Sequence, residues 1–266
     1  MKRVLISLGT RPEIIKLAPL IAALRSEPNH FELKLLFTGQ HRELSDQMAN
    51  SMNLVPDWDL RVMQAAQPLA DLTALLISGI SKVVSTYEPH VVIAQGDTTT
   101  VLSTALASYY NQVPFVHVEA GLRTQSMYSP FPEEGNRRLI SQLSKLHLAP
   151  TQYERESLLQ EGFSDDSIVV TGNTVVDALH QVLKRDVELP YSIAPGQRQV
   201  LLTLHRRENH GDILAGILGA IAELLDRCPE LTVVYPVHPN PAVQQVAQEC
   251  LGSVERALLI EPLPYP

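Results

Sequence analysis

The chain has 266 residues, room for one large or two medium domains at roughly 100–200 residues each. That is enough to bury a core without a disulfide or metal staple. The net charge of −8 runs against the basic face of a nucleic-acid binder, although local arginines can still oppose that sign around a small anionic ligand.

Taken in order, the first segment "MKRVLISLGTRPE" begins like a signal peptide. Its apolar run is too short and is interrupted by Arg11 and Glu13, so it reads as a first β-strand. Further short apolar runs bounded by turn residues follow at "ELKLLFTG", "HVVIAQGD", "VPFVHVEAG", "KLHLAP" and "SIVVTGN". Between them lie segments of helical period. Ile14, Leu17, Ile21 and Leu24 recur at i, i+3, i+7 and i+10. "PLADLTALLISGISKVVSTY" and "TQYERESLLQEG" are further helices, the second opened by Thr151 with Glu154 three residues on. Nearly continuous hydrophobic strands alternating with helices imply a doubly wound parallel sheet covered on both faces.

This α/β unit is expected over residues 1–184, followed by a Pro-containing linker at 185–198. A second α/β pattern runs through 199–266, with helices at Asp212 to Arg227 and Pro241 to Cys250. Its three strands are fewer than the usual five or six, so that domain is expected to be incomplete. Cys228 and Cys250 lack CxxC spacing and read as small buried residues in helices, in a reducing compartment. The longest uncharged run, Thr98 to Val118, is broken by Asn111, Gln112 and Pro114 and does not suit a bilayer. The expectation is a soluble cytoplasmic protein.

In open α/β sheets ligands bind at the C-terminal ends of the strands, and the unusual polar clusters fall at such ends. "GTRPEIIK" places Arg11 and Lys16 beside a helix N-terminus, a phosphate site or else a plain cap with solvated charges. In "AQGDTTT", Asp97 is either an N-cap or a functional acid. Residues two apart in a strand share a face, so His117 and Glu119 of "FVHVEAGLRT" are expected to point together. Glu133 and Glu134 open a helix at "PEEGNRR", which suits its dipole.

Asp97, Glu119 and Glu133 therefore converge on one sheet edge near Arg11, Lys16 and Arg123. That set is suited to removing and returning a proton at carbon. A metal site built on His117, Glu119 and an Asp is the weaker alternative, because no second histidine joins it. In the second domain "LHRRENHGD" presents His205 and Arg206, donors for a diphosphate or a base, and "YPVHPNP" presents His238 similarly.

With these residues in hand, the chain resembles the non-hydrolysing UDP-N-acetylglucosamine 2-epimerases of bacteria. The matching stretches are "GTRPEIIKLAPLI", "TGQHRELSDQM", "GDTTTVLSTALASYY", "PFVHVEAGLRT", "PEEGNRRLI", "TGNTVVDAL", "LHRREN" and "YPVHPNP". The resemblance implies two Rossmann-like domains facing a cleft, the glycosyltransferase-B arrangement, usually in a homodimer. It implies inversion at C2 of UDP-GlcNAc through loss of UDP and a glycal, feeding surface polysaccharide synthesis, with neither NAD nor a catalytic metal. By position, Asp97, Glu119 and Glu133 match the family's acid–base carboxylates and His205 its catalytic histidine, while Arg11 and Lys16 match its first-loop cations. Gln40, His41, Gln67, Glu133, Arg206 and His238 match a site for a second, activating UDP-GlcNAc. Some members carry an arginine where this chain has Ala66, and members continue about a hundred residues further. A hydrolysing relative releasing ManNAc, and an inactive nucleotide-sugar-binding fragment, are the alternatives.

Overall fold

A computed structural model describes residues 1–39, 48–49, 51–64, 67–186, 188–204, 211–263 and 265. The chain divides into two compact units, Met1–Arg185 and Asp186–Pro266.

Among the described residues the first unit is built on seven parallel strands. These are β1 (Lys2–Leu8), β2 (Phe31–Phe37), β3 (Trp58–Asp59), β4 (Val91–Gln95), β5 (Phe115–Val118), β6 (Leu146–Ala149) and β7 (Ile168–Val170), in sheet order β3-β2-β1-β4-β5-β6-β7. Six of them coincide with the apolar runs in the sequence. The two-residue β3 carries no periodic signal and is added by its register with β2, Leu36 against Trp58.

Helices connect the strands: α1 (Arg11–Arg25), α2 (Leu69–Tyr87), α3 (Thr99–Tyr110), α4 (Glu133–Leu143), α5 (Gln152–Gln160) and α6 (Thr174–Val182). Because both faces of the sheet are covered, Val4, Leu5, Ile6 and Leu8 of β1 are all buried without alternation. Leu72, Leu76 and Ile80 of α2 pack with Val101 and Ala105 of α3 on Leu5, Val92 and Phe115. By length and composition α2 is apolar enough to cross a membrane; here its buried stripe serves this core. On α1 the expected face is the buried one, through Ile14, Leu17 and Ile21.

The second unit holds β8 (Arg198–Leu201), α7 (Asp212–Arg227), β9 (Leu231–Pro236), α8 (Pro241–Leu251) and β10 (Ala257–Ile260), with parallel order β10-β9-β8. Leu214, Leu218, Tyr235, Val243 and Leu251 form its core. The Arg256 guanidinium donates to Cys228 O at 2.8 Å and Leu231 O at 2.9 Å, pinning the α7–β9 turn. The expected linker is bonded into this unit. Gln199 Nε2 donates to Tyr191 Oη at 2.9 Å, and the Thr232 hydroxyl donates to Gln197. Both cysteines are free thiols and half-buried; Cys228 follows α7 and does not lie inside it.

Gly121 follows β5 with φ +91°, a conformation costly for any L side chain, and a Cβ there would run into the Glu154 backbone carbonyl. Gly121→Ala is expected to destabilise by at least about 2 kcal/mol, from combined backbone strain and overpacking. Urea denaturation checks this, as a lower midpoint at unchanged slope.

Three buried ionisable groups link the first unit's stability to pH. His117 and His147 pair in register across β5 and β6 and are each 1% exposed. Burial pulls both imidazoles down to about 4 from an ordinary 6.5, helped for His147 by the Arg123 charge. Glu13 is 2% exposed, and burial pushes its carboxyl up to about 7 from 4.5. Between pH 6.5 and 4 the unfolded chain takes up protons that the folded histidines refuse. Each histidine therefore removes about 1.4 kcal/mol of stability per unit of acidification. Glu13 acts oppositely, because between 4.5 and 7 the folded state keeps a proton that the unfolded state releases. The two histidines outweigh it. The urea midpoint is expected to fall on acidification from pH 6.5 to 4.5, and to fall more steeply in Glu13→Gln; a rising midpoint would contradict this account.

Candidate active site

β1 and β4 are neighbours in the sheet whose partners lie on opposite sides, β2 beyond β1 and β5 beyond β4. The loops leaving their C-terminal ends part at this switch point, where open α/β sheets bind ligands. Gly9 ends β1 so close to Thr38 and Thr100 that any side chain would meet their hydroxyls. The chain can then turn directly into α1, whose N-cap is Thr10. Arg11, the first helical residue, is exposed with no partner among the described residues. Glu13, which sequence reading passed over as an interruption, turns inward. It accepts from Gly9 N–H at 2.6 Å and from the hydroxyls of Thr10 and Thr98 at 2.8 and 3.0 Å.

One turn along α1, Lys16 Nζ lies 2.7 Å from each carboxylate oxygen of Glu119. Glu119 Oε1 also accepts from Asn173 Nδ2 at 2.9 Å, and Oε2 accepts from Gln95 Nε2. The side chain is 10% exposed and its backbone has φ +66°, a strained setting for a non-glycine residue that tends to mark functional sites. This left-handed turn corrects the expected alternation. β5 stops at Val118, and His117 is a core residue whose Nε2 donates to Gly96 O at 2.7 Å. Its companionship with Glu119, and the metal alternative resting on it, fall away. Among the described residues no group of three His, Cys, Asp or Glu is arranged to hold a metal.

At the end of β4 the N-cap of α3 is Thr98, whose hydroxyl accepts from Val101 N–H at 3.4 Å. Asp97 is thereby released from capping. Its Oδ2 receives Arg137 Nε at 2.8 Å and Nη2 at 2.7 Å, and its carbonyl receives Asn136 Nδ2 at 2.7 Å. Both donors come from α4, the helix that begins at Glu133, so α4 is tied directly to the Asp97 loop.

The two glutamates that open α4 have different surroundings. Glu134 is fully buried. It gathers Thr124 N–H at 3.0 Å, Arg138 Nε at 2.9 Å and Arg137 Nη1 at 3.3 Å, more than the dipole complement read from sequence. Glu133 has a buried Oε2 with no hydrogen-bond partner among the described residues.

Arg123 is held by partners within the fold. Its guanidinium forms a two-pronged pair with Glu161 at 2.6 and 2.8 Å and also donates to Ser141 Oγ and Leu122 O. Four contacts within the protein make it a brace between the β5–α4 loop, α4 and the end of α5.

Gln67 precedes α2 and accepts from Gln64 N–H at 3.1 Å. His238 is exposed beyond β9 in the second unit, its Nδ1 accepting from Asn240 N–H at 3.2 Å. His205, Arg206, Gln40, His41 and Ala66 lie outside the described residues.

The structure thus brings together Lys16 with Glu119, and Asp97 with the helix carrying Glu133. It adds Glu13, Gln95, Arg137 and Asn173, which sequence reading did not single out. Asn173 alone had a local signal: it caps α6 with its Oδ1 on Val175 N–H at 3.1 Å, leaving its amide nitrogen for Glu119. Acids and cations interleaved in this way can move a proton at a polarised carbon while opposing anionic charge.

Comparison with known proteins bears on the family of the chain. The model of the UDP-N-acetylglucosamine 2-epimerase family matches residues 22–266. A probable UDP-N-acetylglucosamine 2-epimerase of Ralstonia nicotianae is 45% identical, the match covering 100% of this chain and 73% of the relative. The crystal structure of a putative UDP-N-acetylglucosamine 2-epimerase from Listeria monocytogenes superposes with TM-score 0.91 at 42% identity, over 98% of this chain and 69% of that one. The UDP-GlcNAc 2-epimerase of Neisseria meningitidis, solved bound to UDP-GlcNAc, gives TM-score 0.83 at 41% identity, over 99% and 73%. With a matched family model over most of its length, this chain belongs to the UDP-N-acetylglucosamine 2-epimerase family.

Proposed function

We propose that the chain interconverts UDP-GlcNAc and UDP-ManNAc by inverting C2 of the sugar. The observation that carries this reading is Glu119, strained, mostly buried and held through both oxygens by Lys16, one strand away from an Asp97 held by Arg137. A proton leaves C2 to a carboxylate, the C–H electrons form the C1=C2 bond of a glycal, and the C1–O bond breaks with departure of UDP. UDP then adds back at C1, and C2 receives a proton on its other face.

Asp97, Glu119 and Glu133 serve as the acid–base carboxylates, and His205 acts beside the nucleotide. Arg11 and Lys16 oppose the charge that grows on the leaving diphosphate, where electrostatic stabilisation acts most strongly. A proton arriving on Glu119 cancels the charge that holds Lys16 and frees its ammonium for that diphosphate. The chemistry draws on these side chains, without NAD or a metal.

The reading extends to a second, activating UDP-GlcNAc contacted by Gln40, His41, Gln67, Glu133, Arg206 and His238. A homodimer in the cytoplasm supplying surface polysaccharide synthesis completes it.

Proton NMR of the chain with UDP-GlcNAc in deuterated water tests the proposal. UDP-ManNAc is expected to appear, with deuterium entering C2 of both epimers. Glu119→Gln and Asp97→Asn are each expected to slow that exchange by about 10²–10⁴-fold. Free ManNAc among the products would point to the hydrolysing reaction, and absence of C2 exchange would overturn the assignment.

A further inference from the structure

Glu13 is a buried acid that the proposed chemistry leaves unused. Two of its three donors, Gly9 N–H and the Thr10 hydroxyl, come from its own β1–α1 loop. The third, the Thr98 hydroxyl, comes from the neighbouring β4–α3 connection. Thr98 directly follows Asp97 and also caps α3. From the same α1 turn Lys16 reaches Glu119, and beside Thr98 the Asp97 carboxylate reaches Arg137. A single carboxylate therefore joins the two loops that carry the opposing ion pairs.

We infer that Glu13 is a positioning residue, a clamp that holds Thr98 against the first turn of α1 and so sets the spacing between the Lys16–Glu119 pair and Asp97. The clamp stands on geometry alone, and its bearing on turnover rests on the epimerase reading. Its state depends on a proton. Ionised, Glu13 accepts from all three donors; protonated, one of its oxygens donates and a threonine hydroxyl must turn round to accept. If that hydroxyl is Thr98's, the change is felt at the cap of α3, next to Asp97. The groups touching Glu13 are neutral. The charged or titratable residues on the elements packed with it are Arg11, Lys16 and Arg25 on α1, Glu32 and Lys34 on β2, Asp97 on the β4–α3 connection, and Asp177 and His180 on α6. Burial, which lifts the carboxyl to about 7, places both states within reach near neutrality.

The test compares the full chain with Glu13→Ala and Glu13→Gln, reading amide hydrogen exchange at residues 9–10 and 97–98 together with turnover. Glu13→Ala is expected to raise exchange at both segments by about tenfold or more. It should also lower kcat by about ten- to a hundredfold with KM changed less than about twofold, as for a misplaced catalytic group. Glu13→Gln keeps the shape of the protonated acid. It is expected to restore protection at both segments and to lack the inflection near pH 7 in the wild-type kcat profile. Exchange rising at residues 9–10 alone, or Gln failing to restore protection, would overturn the clamp. A Glu13→Gln profile superimposable on wild type would overturn its proton linkage. If the wild-type chain shows no turnover, the epimerase reading falls, while exchange at residues 97–98 still decides the clamp.

Discussion

The site is organised around one ammonium group, Lys16 Nζ, seated between both oxygens of Glu119. An ion pair this sheltered gains strength from reduced screening, yet it also costs desolvation, so it persists only where further hydrogen bonds satisfy the charges. Gln95 and Asn173 supply them, from the end of β4 and from the cap of α6. The left-handed backbone of Glu119 is then over-determined. Its carboxylate is held from three elements, and the turn behind it has a glycine where the chain passes close to α5.

A second set of contacts does the same for Asp97. Glu134, wholly buried at the start of α4, orients Arg137, and Arg137 grips Asp97 while Asn136 holds its carbonyl. One helix thus carries Glu133, with its unpartnered oxygen, and the fork that fixes Asp97. The two sets share the switch point of the sheet, because the register places β4 between β1 and β5. Short strands ending together bring residues far apart in sequence to one edge.

Much of this was legible before any coordinates. Six of the seven strands of the first unit follow from apolar runs, and Ile14, Leu17 and Ile21 announced the buried face of α1. Lys16, Asp97, Glu119 and Glu133 stood out as charges at strand ends, where a doubly wound fold binds its ligand. By itself Asp97 reads first as a cap, a role that the structure gives to Thr98. His117 was misassigned because period two fails at a residue with positive φ, and nothing local in "HVEAG" marks Glu119 as that residue. The pairing of Arg123 was not legible, because its partner, Glu161, caps the end of α5, outside the motif.

By itself the sequence determined the alternating α/β plan, the chemical type of the site residues and the family, since hydrophobic period and motif spacing are local properties. The tertiary structure decided which acid caps and which is free, that Arg123 braces the fold, and that Glu13 joins two loops from inside the core. Those outcomes depend on burial and on partners as far as 103 residues away, and on backbone conformations that packing, not local propensity, selects.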